Sequence, residues 1–65
     1  MKIEVGSRVV CVDGYCYEDY RATVIDMVQR NNCLFAIVSL DGSNQLLAEL
    51  VTCLVSESDF DSGNF

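Results

Sequence analysis

Residues 20–54 read YRATVIDMVQRNNCLFAIVSLDGSNQLLAELVTCL, and this stretch decides the fold. Apolar, β-branched runs alternate in it with short polar breaks that contain Asn, Asp and Gly. This pattern is typical of consecutive antiparallel strands joined by tight turns. We predict strands at residues 20–29, 33–40, 45–47 and 51–55. With a further strand at 8–13, they outline an all-β, five-stranded antiparallel barrel.

The polar breaks predict the turns. Asn31 and Asn32 tolerate the positive φ angle of a tight hairpin turn, and Gly42 is expected to be left-handed in the next turn. The second strand is long for a small domain, so we expect it to twist or bulge near Asp26. Residues 48–50 are too few for an α-helix and predict a short 3₁₀ turn before the last strand.

A helix over residues 44–55 is the competing interpretation. Gln, Leu, Ala and Glu are good helix formers. Four leucines would share one face of that helix: Leu46, Leu47, Leu50 and Leu54.

The composition changes at Ser56 to Ser, Asp, Glu, Gly and Asn. Segments of this kind bury too little apolar surface to stay ordered by themselves. We therefore expect a folded domain over residues 1–55 and a flexible acidic tail over 56–65.

Length and charge limit the classes of function. A chain of 65 residues forms one small domain. It has no apolar run long enough to span a membrane and no apolar signal segment near its start, so a cytoplasmic location is expected. Ten acidic residues oppose four scattered basic ones, for a net charge of −6. Nucleic-acid binding needs clustered Lys and Arg, so a protein partner with a basic surface is the better expectation.

The chain has four cysteines, Cys11, Cys16, Cys33 and Cys53, and no histidine. Only Cys11 and Cys16 are close in sequence, whereas zinc sites use two close pairs. Cys11, Cys33 and Cys53 lie in apolar runs, where cysteine behaves as a small hydrophobe. We expect free thiols and neither metal nor cofactor, with one or two disulfides as the alternative.

Several short motifs resemble Tudor domains and, more broadly, the SH3-like small barrels that include the KOW motif. The matching pieces lie between residues 5 and 55: Val5-Gly6 with Val9 and Cys11, Tyr20-x-Ala22-Thr23-Val24, Asn32-Cys33, Val38-x-Leu40-Asp41-Gly42, and Leu47-Ala48-Glu49-Leu50 with Leu54. The resemblance implies a non-catalytic binding scaffold. It also implies a core made of Val9, Cys11, Ala22, Val24, Val38, Leu40, Leu47, Leu50 and Leu54.

Methyl-reading Tudor domains hold methylated lysine or arginine in an aromatic cage by cation–π attraction. Only Tyr20 matches a ring of that cage in this chain. Asp13 replaces one ring, and Ile37, Ser39 and Leu40 stand where the others are expected. Recognition of a methylated ligand is therefore not predicted.

The segment 14–20 contains all three tyrosines and two acids. In SH3-like barrels the corresponding loop flanks the ligand groove, and tyrosine is enriched at protein interfaces. We predict partner binding by Tyr15, Tyr17, Glu18, Asp19 and Tyr20. The alternative is that one or two of these rings cover the open end of the barrel.

Strand alternation predicts a second surface. If Val9 and Cys11 face the core, then Val10, Val12, Phe35 and Ile37 face outward and could support a dimer. A register error of one residue would remove this surface.

The C-terminal residues alternate acids with aromatics and end in Phe65. They loosely resemble the acidic, Phe-ended tip of single-stranded-DNA-binding proteins, whose terminal Phe enters a partner's hydrophobic pocket. The resemblance implies partner binding by Asp59, Phe60, Asp61 and Phe65. An inert, solubilising tail is the alternative.

Nothing in the chain predicts catalysis. It has no histidine, no phosphate-binding glycine loop and no evident carboxylate pair. The predicted function is therefore a small protein-interaction module or inhibitor, acting for example on a nucleic-acid-handling enzyme with a basic surface. The alternative is a KOW-type nucleic-acid-binding barrel that uses Arg8, Arg21 and Arg30 with stacking tyrosines.

Overall fold

A computed structural model describes residues 2–12 and 20–64. The described residues form five strands, a 3₁₀ turn and a short helix. In chain order these are β1 (Arg8–Cys11), β2 (Tyr20–Arg30), β3 (Cys33–Leu40), β4 (Leu46–Leu50), the 3₁₀ turn (Val51–Cys53), β5 (Leu54–Ser56) and α1 (Glu57–Ser62).

The strands form one antiparallel sheet in the order β4-β3-β2-β1-β5. The prediction of five antiparallel strands is confirmed. Closure into a barrel is not found, because β4 and β5 lie at opposite edges of the sheet and do not pair within the described residues. The molecule is therefore a mostly β, open sheet that curves around one core.

The predicted turn chemistry is confirmed. Asn31 and Asn32 have φ angles of 52° and 64° between β2 and β3, and Gly42 has a φ of 86° between β3 and β4. The pairing of β2 with β3 shifts between Val24 and Asp26, where a bulge was expected. Such a bulge increases local twist, which lets the sheet curve over a small core.

The core lies on one face of the sheet, which we call the core face. Its buried members are Val9, Cys11, Ala22, Val24, Ala36, Val38 and Leu54. Leu40 and Leu47 pack against them as predicted, although both are half-buried. The core prediction was wrong for Leu50. This residue pairs with Phe35 rather than with Ala36, so it points to the opposite face, which we call the outer face.

The boundaries between residues 45 and 55 were predicted wrongly. β4 covers the whole of Leu46–Leu50, so the 3₁₀ turn comes three residues later than expected and β5 starts at Leu54. The alternative helix over residues 44–55 is also wrong. All five residues of β4 pair with β3, and this non-local pairing outweighs the local helix propensity of Ala48 and Glu49.

The expectation of a flexible tail was wrong for Glu57–Ser62, which form helix α1. Ser56 caps the helix by accepting a hydrogen bond from the Asp59 N–H at 3.1 Å. Gly63 ends it with a φ of 77°, and the N–H of Asn64 donates back to the Asp59 carbonyl at 2.8 Å. A cap at each end allows a helix of six residues to form where composition alone indicates disorder.

The neighbours Val24 and Ile25 allow a matched test of the core. Val24 is fully buried, whereas Ile25 lies at the bulge and is 45% exposed. We expect Val24→Asp to unfold the protein, because an unpaired charge in the core costs several kcal/mol against a total stability of roughly 5 kcal/mol. Ile25→Asp should keep the native circular dichroism spectrum and most of the resistance to urea. Equal loss of structure in both variants would contradict this placement of the core.

Candidate functional site

The predicted tyrosine loop connects β1 to β2. Tyr15, Tyr17, Glu18 and Asp19 lie outside the described residues. Tyr20 is described: it begins β2, is half-buried and stands opposite Cys11 of β1. The last residue of β1 and the first residue of β2 are therefore paired neighbours in the sheet.

Tyr20 and Cys11 contact the same carboxylate on the core face. The Tyr20 hydroxyl donates to Oε2 of Glu49 at 2.5 Å, and the Cys11 thiol approaches that oxygen at 3.6 Å. Burial, followed by the hydrogen bond to Glu49, raises the pKa of Tyr20 well above its ordinary value, so the phenol stays protonated as a donor. These contacts link edge strand β4 to β1 and β2, and we call the three residues the Tyr20–Glu49–Cys11 bridge.

The C-terminal residues of the predicted site contact the sheet instead of extending away from it. The guanidinium carbon of Arg21 lies 5.5 Å from the centre of the Phe60 ring, and Arg21 donates to Asp61 at 2.8 Å. Asp59 is half-buried in the first turn of α1. Phe65 lies outside the described residues.

Two arginines anchor α1 to the outer face. Arg8 makes a two-pronged hydrogen bond to Asp41, at 2.7 and 2.5 Å, and a further one to Glu57 at 2.9 Å. Arg21 reaches Glu57 at 3.2 Å and Asp61 at 2.8 Å. The hydrogen bonds from Arg8 and Arg21 hold the pKa values of Asp41, Glu57 and Asp61 below their ordinary range. We call these five residues the arginine network.

The sequence analysis missed the arginine network because its partners are far apart in the chain. Arg8 and Glu57 are separated by 49 positions, and Arg21 and Asp61 by 40. One signal could have revealed the helix itself. Ser56, an acidic first turn and Gly63 together form a start and a stop of the kind that bounds helices.

The predicted surface around Val10 and Val12 is corrected by the structure. Val10 points to the outer face, as alternation requires, but its side chain is 0% exposed, and Val12 is half-buried. Helix α1 contacts β1 and β5 there and covers the surface that the sequence left open. Val10 and Val12 therefore do not join Phe35 and Ile37 in one exposed patch.

Phe35 and Ile37 instead line a separate, open cleft on the outer face. Its volume is about 380 Å³, and it is lined by Val28, Arg30, Phe35, Ile37 and Ala48. The sequence analysis missed Val28, Arg30 and Ala48. The bulge at Asp26 could have revealed Val28 and Arg30, because alternation restarts there and aligns them with Phe35 and Ile37. We call this feature the apolar cleft.

The described residues contain no group of three or more His, Cys, Asp or Glu side chains placed to hold a metal ion. Cys33 is an exposed free thiol and Cys53 a half-buried one. None of the described helices has the length and apolar character needed to cross a membrane.

Comparisons with models of protein families, with curated proteins and with solved structures found no match. The similarity to Tudor and SH3-like domains therefore stays a prediction.

The Tyr20–Glu49–Cys11 bridge predicts a measurable effect on stability. Tyr20→Phe removes the hydroxyl donor to a carboxylate and should lower the free energy of unfolding by about 1–2 kcal/mol. Glu49→Gln is the matched control, because its amide oxygen can still accept the hydrogen bond, and it should cost less. Urea unfolding of both variants measures the difference. An unchanged midpoint for Tyr20→Phe would show that the bridge does not stabilise the sheet.

The arginine network predicts a pH dependence with a definite sign. Folding lowers the carboxyl pKa values of Asp41, Glu57 and Asp61 from ordinary values of 3.8 and 4.5. Their stabilisation is complete above those ordinary values and is lost as the pH falls through the lowered ones. Unfolding measured from neutral to strongly acidic pH should therefore show Arg21→Gln less stable than wild type at neutral pH. The two proteins should converge in acid, and a constant difference would contradict the network.

Proposed function

We propose that this chain is a small, non-catalytic interaction module or inhibitor that binds a protein with a basic surface. A nucleic-acid-handling enzyme in the cytoplasm is one partner of that kind. The binding residues are the acidic tyrosine loop, Tyr15, Tyr17, Glu18, Asp19 and Tyr20. The antiparallel order β4-β3-β2-β1-β5, with β5 beside β1, and the 3₁₀ turn before β5 support a relationship to SH3-like and Tudor-like scaffolds, which also bind partners without catalysis.

The uneven distribution of charged residues along the chain is the main support for this proposal. Two of the four basic residues, Arg8 and Arg21, are engaged by Asp41, Glu57 and Asp61. Residues 13–19 contain three acids, two tyrosines and no base, so this one segment accounts for half of the net charge of −6. A short segment of one sign attracts a surface of the opposite sign and accelerates encounter with it.

The Tyr20–Glu49–Cys11 bridge supports the same site. It holds the start of β2 against β4 through a 2.5 Å hydrogen bond, so one end of the acidic segment leaves from a fixed point. A fixed end reduces the entropy that the segment loses when it binds. Glu49 adds a further carboxylate near that end.

The C-terminal motif supports the function less well. Phe60 and Asp61 already contact Arg21, so they would have to leave the sheet before they could enter a partner's pocket. Asp59 lies in the same short helix, and Phe65 lies outside the described residues.

The alternative, a KOW-type nucleic-acid-binding barrel, needs Arg8, Arg21 and Arg30 for phosphate contacts. Arg8 and Arg21 each face two carboxylates, which compete with phosphate for the same donors. Single-stranded RNA and DNA should therefore show no gel shift with micromolar protein at low salt. A shift that weakens steeply as salt rises would favour the alternative.

A matched pair of neutralised variants tests the proposed function. Glu18→Gln with Asp19→Asn removes two charges from the loop, and Glu4→Gln with Asp59→Asn removes two elsewhere. Quantitative pull-down should capture basic proteins with wild type and the control, whereas the loop variant should lose most of that capture because long-range attraction is weakened. Added salt should reduce capture by wild type.

Equal capture by both variants would contradict a role for the loop. Loss in the control alone would instead assign the binding to Glu4 or Asp59, and single neutralisations would separate the two, because Asp59 lies in α1 whereas Glu4 precedes β1.

A further inference from the structure

The uncovered half of the outer face has a distinct composition. Helix α1 lies against β1 and β5, whereas no described helix or loop covers the outward residues of β2, β3 and β4 beyond the bulge. The pairing register places these side chains together on that half: Asp26, Val28 and Arg30 of β2, Cys33, Phe35 and Ile37 of β3, and Ala48 and Leu50 of β4.

This half-face is electrically neutral in a strongly acidic chain. Asp26 and Arg30 are its two charged residues, whereas the chain as a whole has a charge of −6. Arg30 makes no ion pair with any residue in the described ranges 2–12 and 20–64, and Asp26 uses one carboxylate oxygen for the neighbouring Met27 N–H at 2.8 Å. A basic partner would gain little from such a surface.

We propose that a second copy of this chain covers the apolar cleft, so that two sheets pack face to face in a symmetric dimer. Asp26 and Arg30 lie on either side of Val28 along β2, about 13 Å apart at about 3.3 Å per residue. The two-fold axis lies between the two packed faces and is perpendicular to the strands, above Val28 and Phe35. Rotation about it places the β2 strand of one copy over the β2 strand of the other, in the opposite direction. Arg30 of each copy then meets Asp26 of the other.

The arrangement satisfies the requirement of an isologous interface, in which one surface is complementary to itself. Val28 and Phe35 meet their own counterparts at the centre, and Ile37 and Ala48 extend the apolar contact beside them. Two oppositely oriented ion pairs close its ends. Packed sheets commonly bury such faces about 10 Å apart, with strands nearly aligned. This inference does not depend on the proposed function, because it uses a different surface.

Two single charge reversals give the decisive experiment. Arg30→Asp places acid against acid at both ends of the dimer, and Asp26→Arg places base against base. Each variant alone should form the dimer at least about tenfold more weakly than wild type, because close like charges repel. An equimolar mixture of the two should form a heterodimer, because every facing pair is then of opposite sign.

A change in net charge alone cannot explain heterodimer formation in the mixture. Both variants remain acidic, since one reversal changes the net charge of −6 by two in either direction. Lys2→Glu and Glu4→Arg are the matched controls, because they make the same charge changes at exposed positions outside the strands. They should dimerise as wild type does.

Sedimentation velocity between about 5 µM and about 500 µM covers the range of weak to moderate dimer dissociation constants. Circular dichroism of each variant separates loss of association from loss of folding. The proposal is overturned if wild type stays monomeric throughout, or if the mixture does not associate while both variants are folded. It is also overturned if wild type dimerises and neither reversal weakens the dimer, which would point to pairing through edge strand β4.

Discussion

The fold depends on a core that is built from small side chains on one face of the sheet. Its buried members are valines, alanines, a cysteine and a leucine, with no aromatic ring among them. Sheets can enclose so little volume only by curving tightly, and the bulge between Val24 and Asp26 supplies part of that curvature. Interiors are close-packed, so larger side chains on the core face, such as Tyr20, Met27 and Leu47, are only half-buried around this small core. Phe35 and Ile37 lie on the outer face instead.

The outer face also contains apolar side chains, and its two halves shield them from water in different ways. Over β1 and β5, helix α1 covers Val10 and is held by Arg8 and Arg21. Over the ends of β2, β3 and β4, no described element provides cover, and the apolar cleft remains. The chain covers the first half of the outer face with its own helix, and in the proposed dimer a second copy covers the other half. Both solutions place apolar side chains at the centre and arginine–carboxylate pairs at the periphery.

Local chemistry explains which parts of the fold could be predicted. Asn31, Asn32 and Gly42 adopt the positive φ angles that their residue types favour, so the turns that bound β3 follow from sequence. The extent of β4 did not follow, because Ala48 and Glu49 favour helix locally and become strand only through pairing with β3. A pattern along the chain contains no information about which non-local partner is present.

The candidate site was harder to predict for the same reason. Alternation correctly directed Val10 away from the core, but its exposure depended on a helix that folds back over it. That helix is too short to be recognised by periodicity, and its cap residues, Ser56 and Gly63, were the available signal. The hydrogen bond between Tyr20 and Glu49 joins residues that are 29 positions apart, which spacing could not reveal.

Charge connects the two proposed surfaces. A chain with a net charge of −6 repels its own copies wherever its acidic surfaces meet, and this repulsion disfavours most orientations of self-association. The half-face around Val28 is an exception, because Asp26 and Arg30 cancel. In the proposed function this acidity attracts a basic partner to residues 13–19, and in the proposed dimer it restricts self-association to the neutral half-face. In the proposed dimer each assembly contains two acidic segments, so a basic partner with two accessible sites would be bound with higher avidity than by the monomer.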